Sequence, residues 1–260
     1  MITAGCDVGS LTAKAVLMDN EKILGFDIIR ARTRPSESAE LVIKSAAEKA
    51  GVAPADIQRM VGTGYGKDHI TQADTTKSEI SCHAKGAWWS RPSVRTIIDI
   101  GGQDAKAIRI DEAGNVARYI YNDKCAAGTG RFLEVMADAL DVRLVDMGDL
   151  SEKATSKIRI SNQCVIFAET EVVSLINEGR ETCDIIRGLH HAMANRVASL
   201  AKSIEVHEEV CMTGGVAKNP GMFKALSEGL GVPIQLLDLD PQINGAIGAA
   251  LLAAEEAGEK

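Results

Sequence analysis

Two segments of the chain each place an aspartate beside a glycine turn that lies between two apolar runs. They are Asp7-Val8-Gly9-Ser10-Leu11-Thr12-Ala13-Lys14 and Asp99-Ile100-Gly101-Gly102-Gln103-Asp104-Ala105-Lys106. The backbone N–H groups of such a turn can hold phosphate oxygens, and glycine permits the close approach of the phosphate. We therefore expect Asp7 and Asp99 to face each other across a cleft and to hold a Mg²⁺ ion through water molecules.

Other side chains complete the predicted nucleotide site. Lys14 can neutralise phosphate charge, and Gln103 can orient a water molecule for attack on a γ-phosphate. A third glycine turn, at residues 212–219, follows a strand-like run and precedes a helix, which suits the adenosine end of a nucleotide or its adjoining phosphates. For each loop taken alone, an ordinary tight turn is the alternative interpretation. The residues predicted to bind the nucleotide are Gly9, Ser10, Leu11, Thr12, Ala13, Lys14, Gly101, Gly102, Gln103, Gly214, Gly215, Lys218 and Gln242, and the predicted catalytic residues are Asp7, Asp99 and Gln103.

The two aspartate segments belong to an internal duplication. Residues 7–19 align without a gap onto residues 99–111, so that Asp7 matches Asp99 and Lys14 matches Lys106. Each copy reads as two strands joined by a tight loop and followed by a hairpin to a third strand. We interpret the chain as two homologous halves.

Helical spacing of apolar residues follows in both halves. The first predicted helix has Ser36 as its N-cap, carries Leu41, Val42, Ala46 and Ala50 on one stripe, and stops at Gly51. The later patterns predict helices over residues 131–140, 165–178, 184–203, 220–230 and 243–256.

The segment over residues 62–68 looks like a phosphate loop but lacks the Walker spacing, so we interpret it as a hinge or turn. No Pro/Ser-rich linker separates the halves, which predicts two packed lobes. Lobe I is predicted to comprise residues 1–93 and 244–260, and lobe II residues 94–243.

The composition argues against several classes of partner. The chain of 260 residues has 36 acidic and 29 basic side chains and only 3% aromatic residues, which disfavours nucleic acid. No apolar run approaches the length of a membrane span, and the first residues lack the pattern of a secretion signal. These features predict a cytoplasmic protein that binds neither nucleic acid nor membrane.

Six cysteines occur, with no pair at C-x-x-C spacing, which excludes a zinc ribbon or a thioredoxin motif. The expectation for most of them is a small buried apolar residue, and Cys6, Cys82, Cys183 and Cys211 keep that interpretation. A metal ligand pair at Cys82-His83 is the alternative there, although no further ligand lies nearby in the sequence.

The order Asp-x-Gly, Asp-Ile-Gly-Gly and Thr-Gly-Gly resembles the nucleotide site of the superfamily of actin, sugar kinases and heat-shock chaperone ATPases. A longer string narrows the match: Asn122-Asp123-Lys124-Cys125-Ala126-Ala127-Gly128-Thr129-Gly130-Arg131-Phe132-Leu133-Glu134. Together with residues 99–104 and 164–171, it resembles the activators of 2-hydroxyacyl-CoA dehydratases, to which the ATPase subunits of benzoyl-CoA reductase are similar. The resemblance covers essentially the whole chain.

This resemblance implies an α/β fold of two duplicated actin-like ATPase lobes with a nucleotide cleft between them. It implies ATP or ADP with Mg²⁺, and a homodimer that binds one [4Fe–4S] cluster between its subunits. It also implies that ATP hydrolysis drives single-electron transfer from a ferredoxin or flavodoxin donor to a partner iron–sulfur dehydratase or reductase.

Cys125 and Cys164 are the cluster ligands that the resemblance implies. Four thiolates commonly hold such a cluster, so two cysteines per chain require two chains about a two-fold axis. Both cysteines precede predicted helices, whose N-termini favour thiolates and the negative charge of the cluster. Gly128 and Gly130 are expected to donate backbone N–H groups to its sulfur atoms.

The sequence departs from the family pattern at two places. Leu11 stands where the family usually has threonine, so the hydroxyl that contacts phosphate is either that of Ser10 or that of Thr12. Residues 161–163 replace the usual hydroxyl-rich residues before Cys164, so different hydrogen bonds around the cluster are expected.

Two other functions remain open at this point. A small-molecule kinase of the same superfamily, similar to a pantothenate or sugar kinase, would need a carboxylate base in the cleft and would not need Cys164. A nucleotide switch similar to a chaperone ATPase domain would be expected to carry a substrate-binding domain after residue 260.

Overall fold

The computed structural model describes residues 1–122, 124–161 and 164–258, which fold into two five-stranded mixed sheets surrounded by helices. The strands are β1 Ile2–Val8, β2 Thr12–Asp19, β3 Lys22–Arg30, β4 Arg59–Thr63, β5 Thr75–Thr76, β6 Thr96–Ile100, β7 Ala105–Ile110, β8 Val116–Asn122, β9 Val210–Thr213 and β10 Ile234–Gln235. The helices are α1 Pro35–Ala50, α2 Glu79–Ser90, α3 Gly130–Ala139, α4 Met147–Glu152, α5 Val165–Asn177, α6 Thr182–Lys202, α7 Pro220–Leu230 and α8 Asn244–Gly258.

The two sheets have the same topology, which confirms the duplication. Their strand orders are β3-β2-β1-β4-β5 and β10-β9-β6-β7-β8. In each sheet the first three strands form an antiparallel meander, and the next strand joins the first in parallel. The parallel registers place Asp7 opposite Thr63 and Asp99 opposite Thr213. The duplication therefore extends beyond the aligned segments to β4 and β9.

The first sheet is covered on both faces because its central strands are apolar on both sides. Ala15 and Leu17 of β2 belong to the core that includes Val42 and Ala46 of α1. Val16 and Met18, which alternate with them along the strand, pack with residues of α8. The helix from the end of the chain therefore completes the first sheet.

Helices also cover both faces of the second sheet. One face packs against α3, α6 and α7 in the largest core of the described chain. The other face packs against α2, where Ala84 and Ala87 contact Ile97 and Ile108. In sequence α2 follows the first sheet but packs on the second, whereas α8 follows the second sheet but packs on the first, so the two helices exchange between the sheets. They also pack against each other.

Most predicted helices are confirmed to within two residues, and α7 is confirmed at both ends. The prediction of Ser36 as an N-cap is wrong, because Arg34 occupies that position and Pro35 begins α1. Proline is favoured there since the first helical N–H has no intrahelical partner. Leu41 lies 44% exposed rather than on the buried stripe.

None of the helices in the described ranges combines the length and the apolar character that a membrane crossing requires.

Candidate functional site

A cleft of about 470 Å³ lies between the glycine turns of the two sheets. The turns after β1 and β6 contribute to its walls, as do the loop after β9 and the segment that leads into α8. Fourteen of the residues predicted from the sequence line it: Asp7, Gly9, Ser10, Leu11, Thr12, Lys14, Asp99, Gly101, Gly102, Gln103, Gly214, Gly215, Lys218 and Gln242.

Ala13 differs from the other predicted binding residues in its position. It is fully buried in the core of the first sheet. Successive side chains of a strand point to opposite faces, so Thr12 and Lys14 reach the cleft while Ala13 points away from it.

The two aspartate turns have nearly identical geometry. In the first, Lys14 Nζ lies 3.2 Å from Asp7 Oδ2, and in the second Lys106 Nζ lies 3.3 Å from Asp99 Oδ2. Each turn is closed by a backbone hydrogen bond of 3.0 Å, from Gly9 to the Thr12 carbonyl and from Gly101 to the Asp104 carbonyl. Both aspartates are buried, which holds their carboxylates in fixed positions at the base of the cleft.

A glycine with positive φ lies against each aspartate. Gly64 has φ of 93° and Gly214 has φ of 85°. A Cβ atom would lie 2.5 Å from Asp7 Oδ1 at the first position and 2.9 Å from Asp99 Oδ1 at the second, so both positions require glycine. The segment interpreted from sequence as a hinge or turn is thus the counterpart of the third glycine turn. Its Tyr65 lines the cleft, which the sequence did not predict.

Asp99 has several partners from distant parts of the chain. The Thr213 hydroxyl donates to its Oδ1 at 2.9 Å, and His83 Nδ1 lies 3.4 Å from the same oxygen. Burial raises the pKa of this carboxyl, but the charges of His83 and Lys106 and the Thr213 hydrogen bond outweigh that effect and lower the pKa to about 2. Asp99 is therefore ionised at neutral pH.

Lys106 is the cation at the centre of three carboxylates. It pairs with Glu79 at 3.3 Å, with Asp99 and with Asp104. Burial lowers the pKa of Lys106, but the three carboxylates raise it above its ordinary value. Burial also raises the pKa of Glu79.

The cleft contains titratable residues that the sequence did not assign to it. They are Glu79, His83, Asp104, Lys106 and Glu134. The duplication offered a signal for Lys106, which aligns with Lys14. For His83 the sequence offered only the alternative of a metal ligand pair with Cys82, and nothing local signalled Glu79, because α2 reaches the cleft through tertiary packing.

Cys125 and Cys164 are both exposed. The loop of Cys125 is held by the Asn122 side chain, which donates to the carbonyls of Cys125 and Ala127 at 3.0 Å each. Arg196 of α6 also donates to the Ala127 carbonyl, at 3.1 Å. Cys164 is the N-cap residue of α5, as the sequence predicted.

The remaining cysteines lie inside the protein to different degrees. Cys6, Cys82 and Cys211 are buried, and Cys183 is half-buried. Burial raises the pKa of the Cys6 and Cys211 thiols, and it raises that of Cys82 to about 12. These three side chains therefore stay protonated and act as small apolar groups.

The second aspartate turn is bonded directly to the start of α3. The N–H groups of Gly130 and Arg131 donate to the carbonyls of Gly101 and Gly102, each at 2.8 Å. The expectation that Gly130 donates to cluster sulfur is wrong, because its N–H serves this contact. The cleft is thus connected through backbone hydrogen bonds to the helix that follows Cys125.

Three residues of the predicted cluster motifs lie outside the described residues. They are Asp123, Asn162 and Gln163. Ser161, which precedes the last two, bonds to the Glu171 carboxylate of α5 through its N–H at 2.9 Å and through its hydroxyl.

A family model matches residues 4–253, and its description is the BadF/BadG/BcrA/BcrD ATPase family. The chain belongs to this ATPase family. It is 45% identical to the activator of lactoyl-CoA dehydratase of Anaerotignum propionicum, with 100% of both chains covered. It is 34% identical to one of the benzoyl-CoA reductase subunits of Thauera aromatica, over 97% of this chain and 93% of that one. The family resemblance stated from the sequence is confirmed.

Solved structures agree with this assignment. One is the activator of the 2-hydroxyisocaproyl-CoA dehydratase from Clostridium difficile with bound ADPNP, with a TM-score of 0.95 and 43% identity over 100% of this chain and 96% of that one. A ROK family glucokinase from Streptomyces griseus shares the fold alone, with a TM-score of 0.63 and 15% identity over 98% and 100% of the chains. The predicted class, an α/β fold of two actin-like ATPase lobes, is confirmed.

The donor atoms of this ATPase family member fit the implied cofactors to different degrees. Two buried carboxylates beside a phosphate-sized turn suit Mg²⁺, which is usually held by one or two carboxylates together with phosphate oxygens and water. Among the residues that the structure describes, no group of three or more His, Cys, Asp or Glu side chains is arranged to hold a metal ion. Two exposed cysteines from one chain fit half of a four-thiolate set.

Proposed function

We propose that this chain is an ATP-hydrolysing activator that delivers a single low-potential electron to a partner 2-hydroxyacyl-CoA dehydratase or a related CoA-ester reductase. Membership of the ATPase family and the activator names of its relatives support the coarser part of this proposal. One observation carries the finer part. Cys125 and Cys164 are exposed, while Cys6, Cys82 and Cys211 are buried with raised pKa values.

The cleft residues are assigned roles in ATP binding and hydrolysis. Asp7 and Asp99 orient the water ligands of Mg²⁺, and Lys14 neutralises phosphate charge. Gln103 is exposed in the cleft wall, where its amide can orient the attacking water molecule. The turn amides and the loop after β9 hold the phosphates and the adenosine.

We further propose that the lobe boundaries are those expected from the sequence, residues 1–93 with 244–260 and residues 94–243, so that α2 belongs to lobe I in sequence while it packs on the sheet of lobe II. The packing of α8 on the first sheet supports the placement of the C-terminal segment in lobe I. Because α2 packs on the second sheet and against α8, this helix pair is the part of the fold about which the lobes would move.

In the proposed homodimer, Cys125 and Cys164 of each chain supply the four thiolates of one [4Fe–4S] cluster. The cluster supplies a one-electron carrier, which a ferredoxin or flavodoxin would reduce. The face of α5 beside Cys164 is apolar and exposed, with Ile166 at 70% and Phe167 at 62%. A second copy covering this face would remove its apolar surface from water.

The hydrogen bonds between the second turn and α3 provide a route for coupling. Gly101 and Gly102 accept the first N–H groups of α3, so a shift of this turn upon loss of the γ-phosphate would shift α3 as well. Because α3 packs against α5, such a shift would reach both helices that follow the cysteines. The chain would thereby link hydrolysis to the geometry around Cys125 and Cys164.

The test is anaerobic purification with three matched substitutions, Cys125→Ser, Cys164→Ser and Cys183→Ser. We expect about two iron atoms per chain in the parent and in Cys183→Ser, with a broad visible absorption, since four iron atoms serve two chains. The Cys125→Ser and Cys164→Ser variants should lose most of the iron. Iron content that is equal in all four proteins would contradict the cluster assignment.

Activity assays on the same protein preparations distinguish an activator from a kinase. An activator hydrolyses ATP without an added acceptor alcohol and needs Cys164 for electron delivery. A kinase transfers the γ-phosphate to a hydroxyl substrate such as pantothenate or a hexose, and it does so equally well after Cys164→Ser. Stoichiometric phosphorylation of such a substrate would favour the kinase.

A further inference from the structure

We propose that His83 is a positioning residue that sets the relative placement of Asp7 and Asp99, the two carboxylates assigned to Mg²⁺. This inference rests on the nucleotide site of the proposed function. His83 belongs to α2 and lies one residue after the buried Cys82. Its side chain is almost fully buried at the base of the cleft.

One side of the imidazole faces the second sheet. Its Nδ1 lies 3.4 Å from Asp99 Oδ1 and 3.4 Å from the Thr213 hydroxyl. Because Thr213 also donates to Asp99 at 2.9 Å, the three groups form a closed cluster around one carboxylate oxygen. The orientation of Asp99 in the cleft therefore depends on the position of the ring.

The other side of the imidazole faces the first sheet. A Cβ atom added to Gly245 would lie 2.9 Å from His83 Nε2 and 3.0 Å from Asp7 Oδ2. The imidazole ring and the Asp7 carboxylate therefore border the same small space, which stays open because Gly245 has no side chain. His83 thus lies next to the carboxylates of both sheets.

The crossing of α2 and α8 fixes the ring at this position. At Gly248 a Cβ atom would collide with the Cys82 carbonyl, so the two helix backbones are in direct contact one residue from His83. The Asn244 amide donates to the His83 carbonyl at 3.0 Å and lies 3.3 Å from Nδ1. Backbone and side chain of His83 are both held by the start of α8.

This placement gives His83 a defined effect on Mg²⁺. The ion demands near-ideal octahedral geometry, so its affinity depends on where the two carboxylates hold its water ligands. Partners that orient a metal-binding carboxylate typically contribute about 10- to 100-fold to metal affinity or activity. A histidine that only filled space would contribute equally with and without the ion.

The experiment compares ADP binding by calorimetry in EDTA and in excess Mg²⁺. In the full-length protein, His83→Ala should reduce the Mg²⁺-dependent gain in ADP affinity about 10- to 100-fold. Affinity in EDTA should stay within about twofold. The Mg²⁺ concentration for half-maximal ATP hydrolysis should rise by a similar factor.

Two conservative variants identify which side of the ring acts. His83→Asn keeps a polar atom near the position of Nδ1, next to Asp99, and His83→Gln keeps one near Nε2, next to Asp7. We expect His83→Asn to recover more of the Mg²⁺-dependent gain, because the shorter amide can reach Asp99 and Thr213. This comparison remains valid if His83→Ala does not fold.

The matched control is His191→Asn on α6, where the side chain is 42% exposed and lies outside the cleft. It should leave both affinities unchanged. An unchanged Mg²⁺-dependent gain in His83→Ala would overturn the inference, as would an equal loss of affinity in EDTA and in Mg²⁺. If the unsubstituted protein neither bound ADP nor hydrolysed ATP, the proposed function itself would fail.

Discussion

The two aspartates of the cleft occupy equivalent positions but are held differently. Asp7 is paired with Lys14 of its own turn. Asp99 is paired with Lys106, accepts a hydrogen bond from the Thr213 hydroxyl and lies beside His83. The second carboxylate is therefore the more firmly placed of the two, although the sequence segments that carry them align residue by residue.

Lys106 should contribute strongly to stability, because it neutralises three carboxylates in a buried position. Replacing it by methionine keeps an unbranched apolar side chain that is one atom shorter, and it leaves Glu79, Asp99 and Asp104 without their cation. We expect Lys106→Met to lower the free energy of unfolding by about 3–5 kcal/mol at pH 7, measured by urea denaturation. The exposed Lys44 on α1 provides the control, and Lys44→Met should change it by less than about 0.5 kcal/mol.

A loss below about 1 kcal/mol in Lys106→Met would show that water or local rearrangement compensates the carboxylates in place of the lysine.

Residue types and spacing predicted the parts of the site that are local in sequence. Asp7, Asp99 and Lys14 were found because each belongs to one turn, whose few residues carry both the glycines and the charges. Glu79 was not found, and His83 was considered only as a metal ligand beside Cys82, because no local pattern placed the helix α2 at the cleft. Their place in the cleft results from the packing of α2 on the second sheet.

At the level of elements, both meanders and six helices were predicted, whereas α2, α4 and the exchange of α2 and α8 between the sheets were not. Period-two and helical patterns are properties of short windows, so both meanders and α7 could be predicted from them. The covering of the first sheet by α8 depends on a contact between the two ends of the chain. Gly248 of α8 lies against the backbone of Cys82 in α2, but the sequence alone does not show which segment this glycine contacts.

The C-terminal turn of α8 is tied to the first sheet by Glu256. Its carboxylate pairs with Lys77 at 2.8 Å and with Arg59 at 2.7 Å, and it accepts the Thr75 hydroxyl at 2.9 Å. The hydrogen bonds from Lys77 and Arg59 lower the pKa of Glu256 from 4.5 to about 2. Glu256→Gln should therefore lower the free energy of unfolding by about 1–2 kcal/mol at pH 7.

The pH dependence of this loss follows from the direction of the pKa shift. A carboxyl with a depressed pKa stabilises the fold above its unfolded value and loses that contribution as the pH falls. The difference between Glu256→Gln and the parent should shrink between pH 5 and pH 3, in urea titrations at each pH. A pH-independent deficit would assign the effect to packing. The neighbouring Glu255 is 49% exposed and pairs with Lys85, so Glu255→Gln should cost less than about 0.5 kcal/mol.

At the scale of the whole molecule, α5 exposes a cluster of large apolar side chains, which is unusual for a helix on the surface of a single chain. Ala168 and Val172 face the core, whereas Ile166, Phe167, Val173 and Ile176 are exposed. The apolar spacing over residues 165–178 predicted α5 but did not show which of its side chains the same chain buries. Apolar spacing in a helix predicts that its side chains are buried, but it does not show whether the same chain or a second chain buries them.

The proposed homodimer predicts that this exposed face is needed for association. The chain has a mass of 27.6 kDa, so light scattering after anaerobic gel filtration should give about twice that mass for the parent protein. Phe167→Asp places a charge on the apolar face, and burying it would cost several kcal/mol, so the dimer should dissociate at micromolar concentration. Leu41→Asp alters an exposed apolar side chain on α1, remote in sequence from both cysteines, and should remain dimeric.

The iron content of the same preparations decides whether dimer and cluster depend on each other. If two chains share the four thiolates, Phe167→Asp should lose iron together with the dimer, although Cys125 and Cys164 are intact. Phe167 does not line the cleft, and each chain carries its own cleft, so ADP binding in the monomer should persist. A monomer that retained its full iron content would show that one chain suffices for the cluster, and a dimer that persisted in Phe167→Asp would place the contact between the chains elsewhere.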